Sequence, residues 1–314
     1  MTLSFVIAVA VLIGLSLFFY QEVRRSAGPM EWGKSPRWKK RLRVTLAAIP
    51  LFVGCCVFWG FFIEPNRLIV RQQTLQMIGW PKELSGLKIA VLADIHAGSA
   101  FIDDKKLRVI VERTNNLQPD LIVILGDYMS GRGAESEDIQ PEVFAPILKN
   151  LHARLGVYSV LGNHDWWYNG SKVSASLEQN GIHVLEDQVV ELKLESRSLW
   201  LVGLADLWTR PQHIESTIAK VPQGETVIAL THNPDIFPRL PQRVPLLLAG
   251  HTHGGQVQLP FIGSVIQPSD YGQHYVEGHV FENNHHLFVT TGIGTSIVPV
   301  RFNVPPEIVL LTLN

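Results

Sequence analysis

Five short runs of almost wholly apolar residues, each broken off at a polar residue able to carry chemistry, constrain this chain more than any other feature. They are Lys88–Ala93 before Asp94, Leu121–Leu125 before Gly126-Asp127, Val157–Leu161 before Gly162-Asn163-His164-Asp165, Thr226–Leu230 before Thr231-His232, and Pro245–Ala249 before Gly250-His251. A run of this length without polar alternation is a strand buried on both faces, so layers on either side must cover it. Amphipathic stretches at Leu107–Asn116, Pro141–Leu151 and Ser174–Asn180 read as helices, the last closed by Gly181. Val189–Leu194 and Leu199–Leu204 read as an antiparallel pair, and Leu287–Thr291 and Ile308–Leu313 as late strands. Strands alternating with helices predict an α/β layered domain.

The N-terminal part is of another kind. Leu3–Tyr20 and Val44–Ile63 are uncharged apolar runs long enough to approach or cross a hydrocarbon core of about 30 Å. No basic residue precedes the first and no small-residue cleavage site follows it, so two transmembrane helices are expected rather than a signal peptide. Between them, Gln21–Arg43 carries eight Lys/Arg against Glu22 and Glu31. Short loops this basic stay cytoplasmic, which predicts an inner-membrane protein with two spans and its catalytic domain on the extracytoplasmic side. The expected division is residues 1–71 as anchor and 72–314 as domain, with Arg67–Trp80 an edge strand or linker between them. Ten Lys/Arg and three Asp/Glu fall up to Arg71, leaving 17 against 25 and a net of −8 beyond it. An acidic domain without a basic run argues against long nucleic acid as a partner. The only cysteines, Cys55 and Cys56, lie inside the second apolar run and staple nothing in the domain.

The strand ends supply seven candidate metal ligands: Asp94, His96, Asp127, Asn163, His232, His251 and His253. Imidazole mixed with carboxylate and no thiolate is a donor set for Mn, Fe, Zn or Co. Seven donors exceed one tetrahedral site and suit two ions sharing a carboxylate, an arrangement that ionises a water and grips phosphate oxygens. Each motif alone has a plainer reading. Asp94-x-His96 is compatible with a capped turn, Gly126-Asp127 with an ordinary strand end, and His251-x-His253 with a site for a single ion. His152, His183, His213, His274, His279, His285 and His286 are read as surface or loop residues. Asp206 resembles the others in its place after a strand and is a weaker candidate, Asp187 weaker still.

The motif set and its order resemble the calcineurin-like metallophosphoesterases, from about Lys88 to the C-terminus. Gly292-Ile-Gly294-Thr-Ser296, Pro299, Arg301-Phe302, Pro305-Pro306-Glu307 and His253-Gly-Gly-Gln-Val257 look like a membrane-anchored bacterial branch of that family. The resemblance implies two packed mixed β-sheets flanked by helices and two divalent metal ions. Asp94, His96 and His253 would bind one ion, Asn163, His232 and His251 the other, and Asp127 would bridge them. His164 would protonate the leaving oxygen, with Asp165 orienting it. Thr231 stands where the family often has glycine, which alters backbone freedom and not the ligand.

Trp166 and Trp167 read as packed aromatics, as a hydrophobic wall for a lipid or aromatic leaving group, or as a membrane-dipping edge, and Arg301 as a phosphate contact or an ordinary ion pair. Gly254 and Gly255 would allow close backbone approach to the metals. The expected activity is that of a membrane-anchored phosphoesterase, more a phosphodiesterase than a monoesterase, in which hydroxide held between two ions attacks phosphorus. Its phosphoester substrate would be lipid-linked or envelope-derived. The alternatives are a UDP-2,3-diacylglucosamine pyrophosphatase of lipid A synthesis, and a non-catalytic, metal-stabilised envelope scaffold.

Overall fold

A computed structural model of the chain describes residues 14, 21, 25, 37–131, 139–194 and 197–314. The chain divides into two compact units, Met1–Ile63 and Glu64–Asn314. In the first, helix α1 spans Arg37–Phe58 and passes into a π-helical turn at Trp59–Ile63. The basic residues Arg37–Arg43, expected in a loop, begin this helix instead. Lys and Arg are good helix formers, and no glycine interrupts them. One stretch among the described residues, Ala48–Asn66, is long and apolar enough to cross a membrane. It corresponds to the second expected span. The first, Leu3–Tyr20, lies outside the described residues apart from Gly14, so two spans are not established.

The second unit begins ahead of the boundary expected after Arg71. Strand β1 (Ile69–Leu75) is already part of it, pairing in parallel with the last strand, β14 (Glu307–Leu313), in the register Ile69↔Glu307. One six-stranded sheet has the order β1-β14-β2-β3-β4-β5. Its middle is β2 (Leu87–Leu92), β3 (Leu121–Leu125) and β4 (Val157–Val160), all parallel, with the short β5 (His183–Val184) at the edge. The second has the order β12-β13-β9-β8-β7-β6. Here β7 (Ser198–Gly203), β8 (Thr226–Leu230), β9 (Leu246–Ala249) and β13 (His285–Val289) are parallel. The outer strands β6 (Gln188–Lys193) and β12 (Gly278–Glu282) run antiparallel to them.

The period-2 alternation of each strand now has two destinations. Ile89 and Val91 of β2, Val123 of β3, and Val309 and Leu311 of β14 pack against Leu199, Leu201, Ile228 and Leu246 of the other sheet. Their neighbours Ala90, Leu92, Ile122 and Ile124 face the helices α2 (Asp104–Asn116), α3 (Pro141–Leu148) and α5 (Gly170–Gln179) through Leu107, Ile110, Phe144, Val173 and Leu177. On the far side, Val227, Ala229 and Leu247 cover Ile214 and Ile218 of the short helix α6 (Ile214–Ile218), with Ile236 and Phe237. Each valine, leucine, isoleucine or phenylalanine among them, fully buried, stabilises the fold by about 1.5–3 kcal/mol relative to exposure. The result is helix, sheet, sheet, helix, as the apolar runs required. His285 and His286, read as surface residues, are buried on β13. His285 Nδ1 lies 2.8 Å from Val244 O, and the His286 ring stacks on His279.

Candidate metal centre

Parallel strands within a sheet end on one rim, and ligand sites of α/β folds form at that carboxyl edge. Here β2, β3 and β4 of one sheet and β8 and β9 of the other deliver the polar strand ends to one place. The backbone there is strained. Asp94, His96, Asp127, His251 and His253 all have positive φ, between 47° and 73°, a region costly for any residue with a Cβ and concentrated at functional sites. Glycines make room beside them. A Cβ on Gly162 would come within 2.2 Å of Asp127 Oδ1, and one on Gly250 within 2.8 Å of Asp94 Oδ2.

Two groups of buried donors result. Asp94, His96 and His253 form one, and Asp127, His232 and His251 the other, with the donor atoms of each within 4.8 Å of one another. In the first, His253 Nε2 is 3.4 Å from Asp94 Oδ1 and 3.1 Å from His96 Nε2. In the second, His232 Nε2 is 3.2 Å from Asp127 Oδ2 and 3.1 Å from His251 Nδ1. Asp127 Oδ2 also lies 3.8 Å from His96 Nε2, so one carboxylate oxygen faces both groups. Two imidazole nitrogens on one tetrahedral Zn²⁺, each bonded at about 2.0–2.1 Å, stand about 3.3 Å apart, close to both pairs seen here.

The outer nitrogens orient the rings. His96 Nδ1 lies 2.7 Å from Met129 O and His232 Nδ1 2.7 Å from Leu125 O. Each carbonyl can only accept, so Nδ1 carries a proton, and whenever the ring is neutral the lone pair of Nε2 turns inward. His251 Nε2, His253 Nδ1 and Asn163 Oδ1 are buried without a hydrogen-bond partner. A buried polar atom left unpaired costs about 1–3 kcal/mol, and Asn163 Oδ1 is where a cation would satisfy it.

Electrostatics point the same way. Burial holds the His96 imidazole down at about 4 and, with His232 nearby, the His251 imidazole at about 3; burial also keeps His253 well below its usual range. All three are neutral rings, the form a metal takes. Burial pushes the Asp94 carboxyl up to about 7, with His232 opposing. At Asp127, burial is overcome by His232, which holds the carboxyl low, and Asp127 in turn raises His232 to about 10 against its own burial. A proton on His232 and a divalent cation are alternative means of balancing the Asp127 charge.

His164 and Asp165 sit at the start of helix α4 (Asn163–Tyr168) and point in different directions. The His164 backbone N–H donates to Asp127 Oδ1 at 2.9 Å, and its ring Nε2 is 3.3 Å from Ser296 Oγ. The Asp165 carboxylate, expected from sequence to orient His164, does not do so. It accepts the backbone N–H groups of Asp127, Gly162, Tyr128 and Met129 at 2.9–3.1 Å. Its place is therefore under the Asp127 loop. Trp167 packs its edge on His164, ring centroids 4.9 Å apart. Trp166 turns inward against the helical core and under Arg210, whose guanidinium lies 4.2 Å from its ring.

Arg301 is no phosphate contact. Its side chain is 0 % exposed and donates to the carbonyls of Gly294, Thr291 and Val304. It ties together the loop that crosses over Asp94. Gly254 and Gly255, expected to admit the backbone to the metals, face other neighbours. A Cβ on either would strike Val304 and Thr291, or Ser264 and Ile266. Asp206 is fully buried, its charge acting on His232. It accepts from Trp208 N, Thr209 N and Thr209 Oγ1, which turns the Trp208 ring onto His251 at 4.3 Å. Trp208 and Ser296 were not legible as site residues. The only signal for Trp208 was its position two residues beyond Asp206.

Comparison with known proteins agrees with this geometry. Residues 87–255 match the family model described as calcineurin-like phosphoesterase. The chain is 32% identical over 273 residues to the uncharacterized metallophosphoesterase YkuE of Bacillus subtilis, covering 86% of this chain and 93% of that one. It is 30% identical over 231 residues to phosphodiesterase YaeI of Escherichia coli, covering 72% and 82%. It is 29% identical over 255 residues to a transmembrane protein with metallophosphoesterase domain of Danio rerio, covering 74% of this chain and 54% of that one. The chain belongs to the calcineurin-like phosphoesterase family and is a metal-dependent phosphoester hydrolase.

Proposed function

We propose that the chain is a membrane-anchored, dinuclear phosphodiesterase. The observation that carries this is the single Asp127 oxygen facing two groups of buried histidine and carboxylate donors. Asp94, His96 and His253 would hold one divalent cation, Asn163, His232 and His251 the second, and Asp127 both. The donors suit Mn, Fe or Zn. Two such cations, when bound, polarise phosphoryl oxygens and lower the pKa of a water to near neutrality.

The chain's own residues supply the remainder. His164 lines the cavity over the two groups together with Trp167. Its Nε2, 3.3 Å from Ser296 Oγ, would give a proton to the departing oxygen, as general acids do within hydrogen-bond reach. Asp165 holds the Asp127 loop in register. Diester specificity is supported by the name of the E. coli relative. Anchoring is supported by Ala48–Asn66 and by the name of the D. rerio relative. The basic residues of Gln21–Arg43, which precede the apolar stretch Ala48–Asn66, favour an extracytoplasmic catalytic unit.

Hydrolysis of bis-p-nitrophenyl phosphate with added Mn²⁺ tests the reading. Asp127→Asn and His164→Ala are each expected to lose at least a hundredfold in kcat/KM. Wild-type rates in both variants would overturn it.

A further inference from the structure

Above its floor, the cavity over the metal centre is lined mostly by apolar side chains, with Gln256, Ser296 and Thr252 as polar exceptions. It has a volume of about 390 Å³. His164, Asn163, Asp127 and His251 form the floor, while Val257, Val265, Ile266, Ile297, Val298 and Val300 form the walls. A site for a small polar phosphoester has no use for six aliphatic side chains around its mouth.

The walls continue outward. Val257 and Val265 lie on either side of a hairpin made of β10 (Gln258–Leu259) and β11 (Gly263–Ser264), whose tip is Pro260-Phe261-Ile262. Phe261 is fully exposed, and Ile262 and Ile266 are 67% and 70% exposed. Across the mouth, Ile297 is 86% exposed and Val298 is exposed beside it. The two segments are fastened to each other. Gln256 donates to Ser296 O and accepts from Ser296 N, and Gln258 N donates to Phe302 O.

Two further facts set this rim apart from ordinary surface. Phe261 and Ile297 both have positive φ, 68° and 64°. Glycine or asparagine would take that conformation at less cost and would suit water better, and a β-branched residue there is an outlier. An exposed aromatic and an exposed isoleucine at strained positions are compensated only where the side chain meets something apolar. In addition, no Asp, Glu, Lys or Arg occurs from Gly254 to Ser269 or from Leu287 to Val300. An interface with a protein carries a polar rim, and a surface that adsorbs to anionic headgroups carries Lys and Arg. An uncharged apolar rim matches the hydrocarbon boundary of a bilayer. The same chain carries one stretch, Ala48–Asn66, that is long and apolar enough to lie in one.

We propose that the Gln258–Ser264 hairpin tip and the Ile297–Val298 turn enter a lipid bilayer, and that the cavity between them takes an acyl chain of a phosphodiester lipid drawn from it. The scissile phosphate would then rest on the floor at His164 and Asp127 while the chain lies along the aliphatic walls. This rests on the phosphodiesterase reading for its second half only.

The full-length protein in phosphatidylcholine vesicles tests both halves. A nitroxide attached through Phe261→Cys, in a Cys55→Ser/Cys56→Ser background, reports its surroundings without turnover. Collision with oxygen in excess of collision with a water-soluble nickel chelate is expected. Nickel-dominated collision, as in water, or low collision with both, as in a protein interface, would overturn the bilayer contact. The second arm compares hydrolysis of methyl and hexadecyl p-nitrophenyl phosphate. Phe261→Ser/Ile262→Ser is expected to lower kcat/KM for the hexadecyl ester at least tenfold and to leave the methyl ester within twofold. Equal effects on the two esters would remove the acyl-chain assignment. A label that enters the bilayer in a protein that cleaves neither ester would retain the membrane contact and remove the phosphodiesterase reading.

Discussion

Asp165 Oδ2 accepts the backbone N–H of Asp127 at 2.9 Å, so the carboxylate that follows His164 in the chain supports the oxygen shared by the two donor groups. Three more N–H groups, of Gly162, Tyr128 and Met129, converge on the same side chain. A left-handed Asp127 (φ 56°) is held by these bonds rather than by its own conformational preference.

Asp165→Ala should therefore act on metal retention. Loss of a group that orients a ligand typically costs 10–100-fold in metal affinity. Titration of the chelated protein with Mn²⁺, followed by elemental analysis, is expected to show a loss of that size. The limb of the pH–rate profile that reports proton donation should stay where it is. A shifted limb with unchanged metal content would return Asp165 to the role of orienting His164.

Arg301→Met should lower stability rather than substrate affinity. The guanidinium is buried among the Thr291, Gly294 and Val304 carbonyls and beside the charges of Asp94 and Glu307. Its removal leaves those groups uncompensated, at about 3–5 kcal/mol. For a unit of this size that corresponds to a fall in Tm of roughly 10 °C. Calorimetry of the detergent-solubilised protein measures it, with KM of the surviving fraction close to wild type. A tenfold rise in KM at unchanged Tm would show that Arg301 contacts phosphate after all.

Glu186 should make stability fall as pH rises. Burial pushes its carboxyl up to about 8, although Leu161 N donates to it. The folded state then holds the proton more tightly than the unfolded chain. Its contribution is complete below the unfolded pKa of 4.5 and is lost as pH rises through 8. Glu186→Gln cannot ionise. Relative to wild type it should gain roughly 4 kcal/mol between pH 5 and pH 9, read as a change in the Tm difference at constant metal loading. A Tm difference that is equal at both pH values would mean the folded carboxyl ionises normally.

What the amino-acid sequence determined by itself is the layered α/β plan and the donor set. Runs such as Leu121–Leu125 have no polar alternation, so burial on both faces follows without knowing the neighbours. The seven donors stand at strand ends, where one rim of a sheet collects them. Only the tertiary structure decided what each neighbouring residue faces. Asn163 to Tyr168 form a helix, in which adjacent side chains diverge and those three apart share a face. That is why His164 meets Trp167, while Asp165 and Trp166 turn elsewhere, and why adjacency of His164 and Asp165 in sequence misled. The pairing of β1 with β14 was equally hidden. It joins Ile69 to Glu307, and no local propensity encodes a contact that long-range packing alone selects. The apolar rim at Phe261 and Ile297 became visible only once backbone and exposure were known, because in the chain these residues look like any buried aliphatic segment.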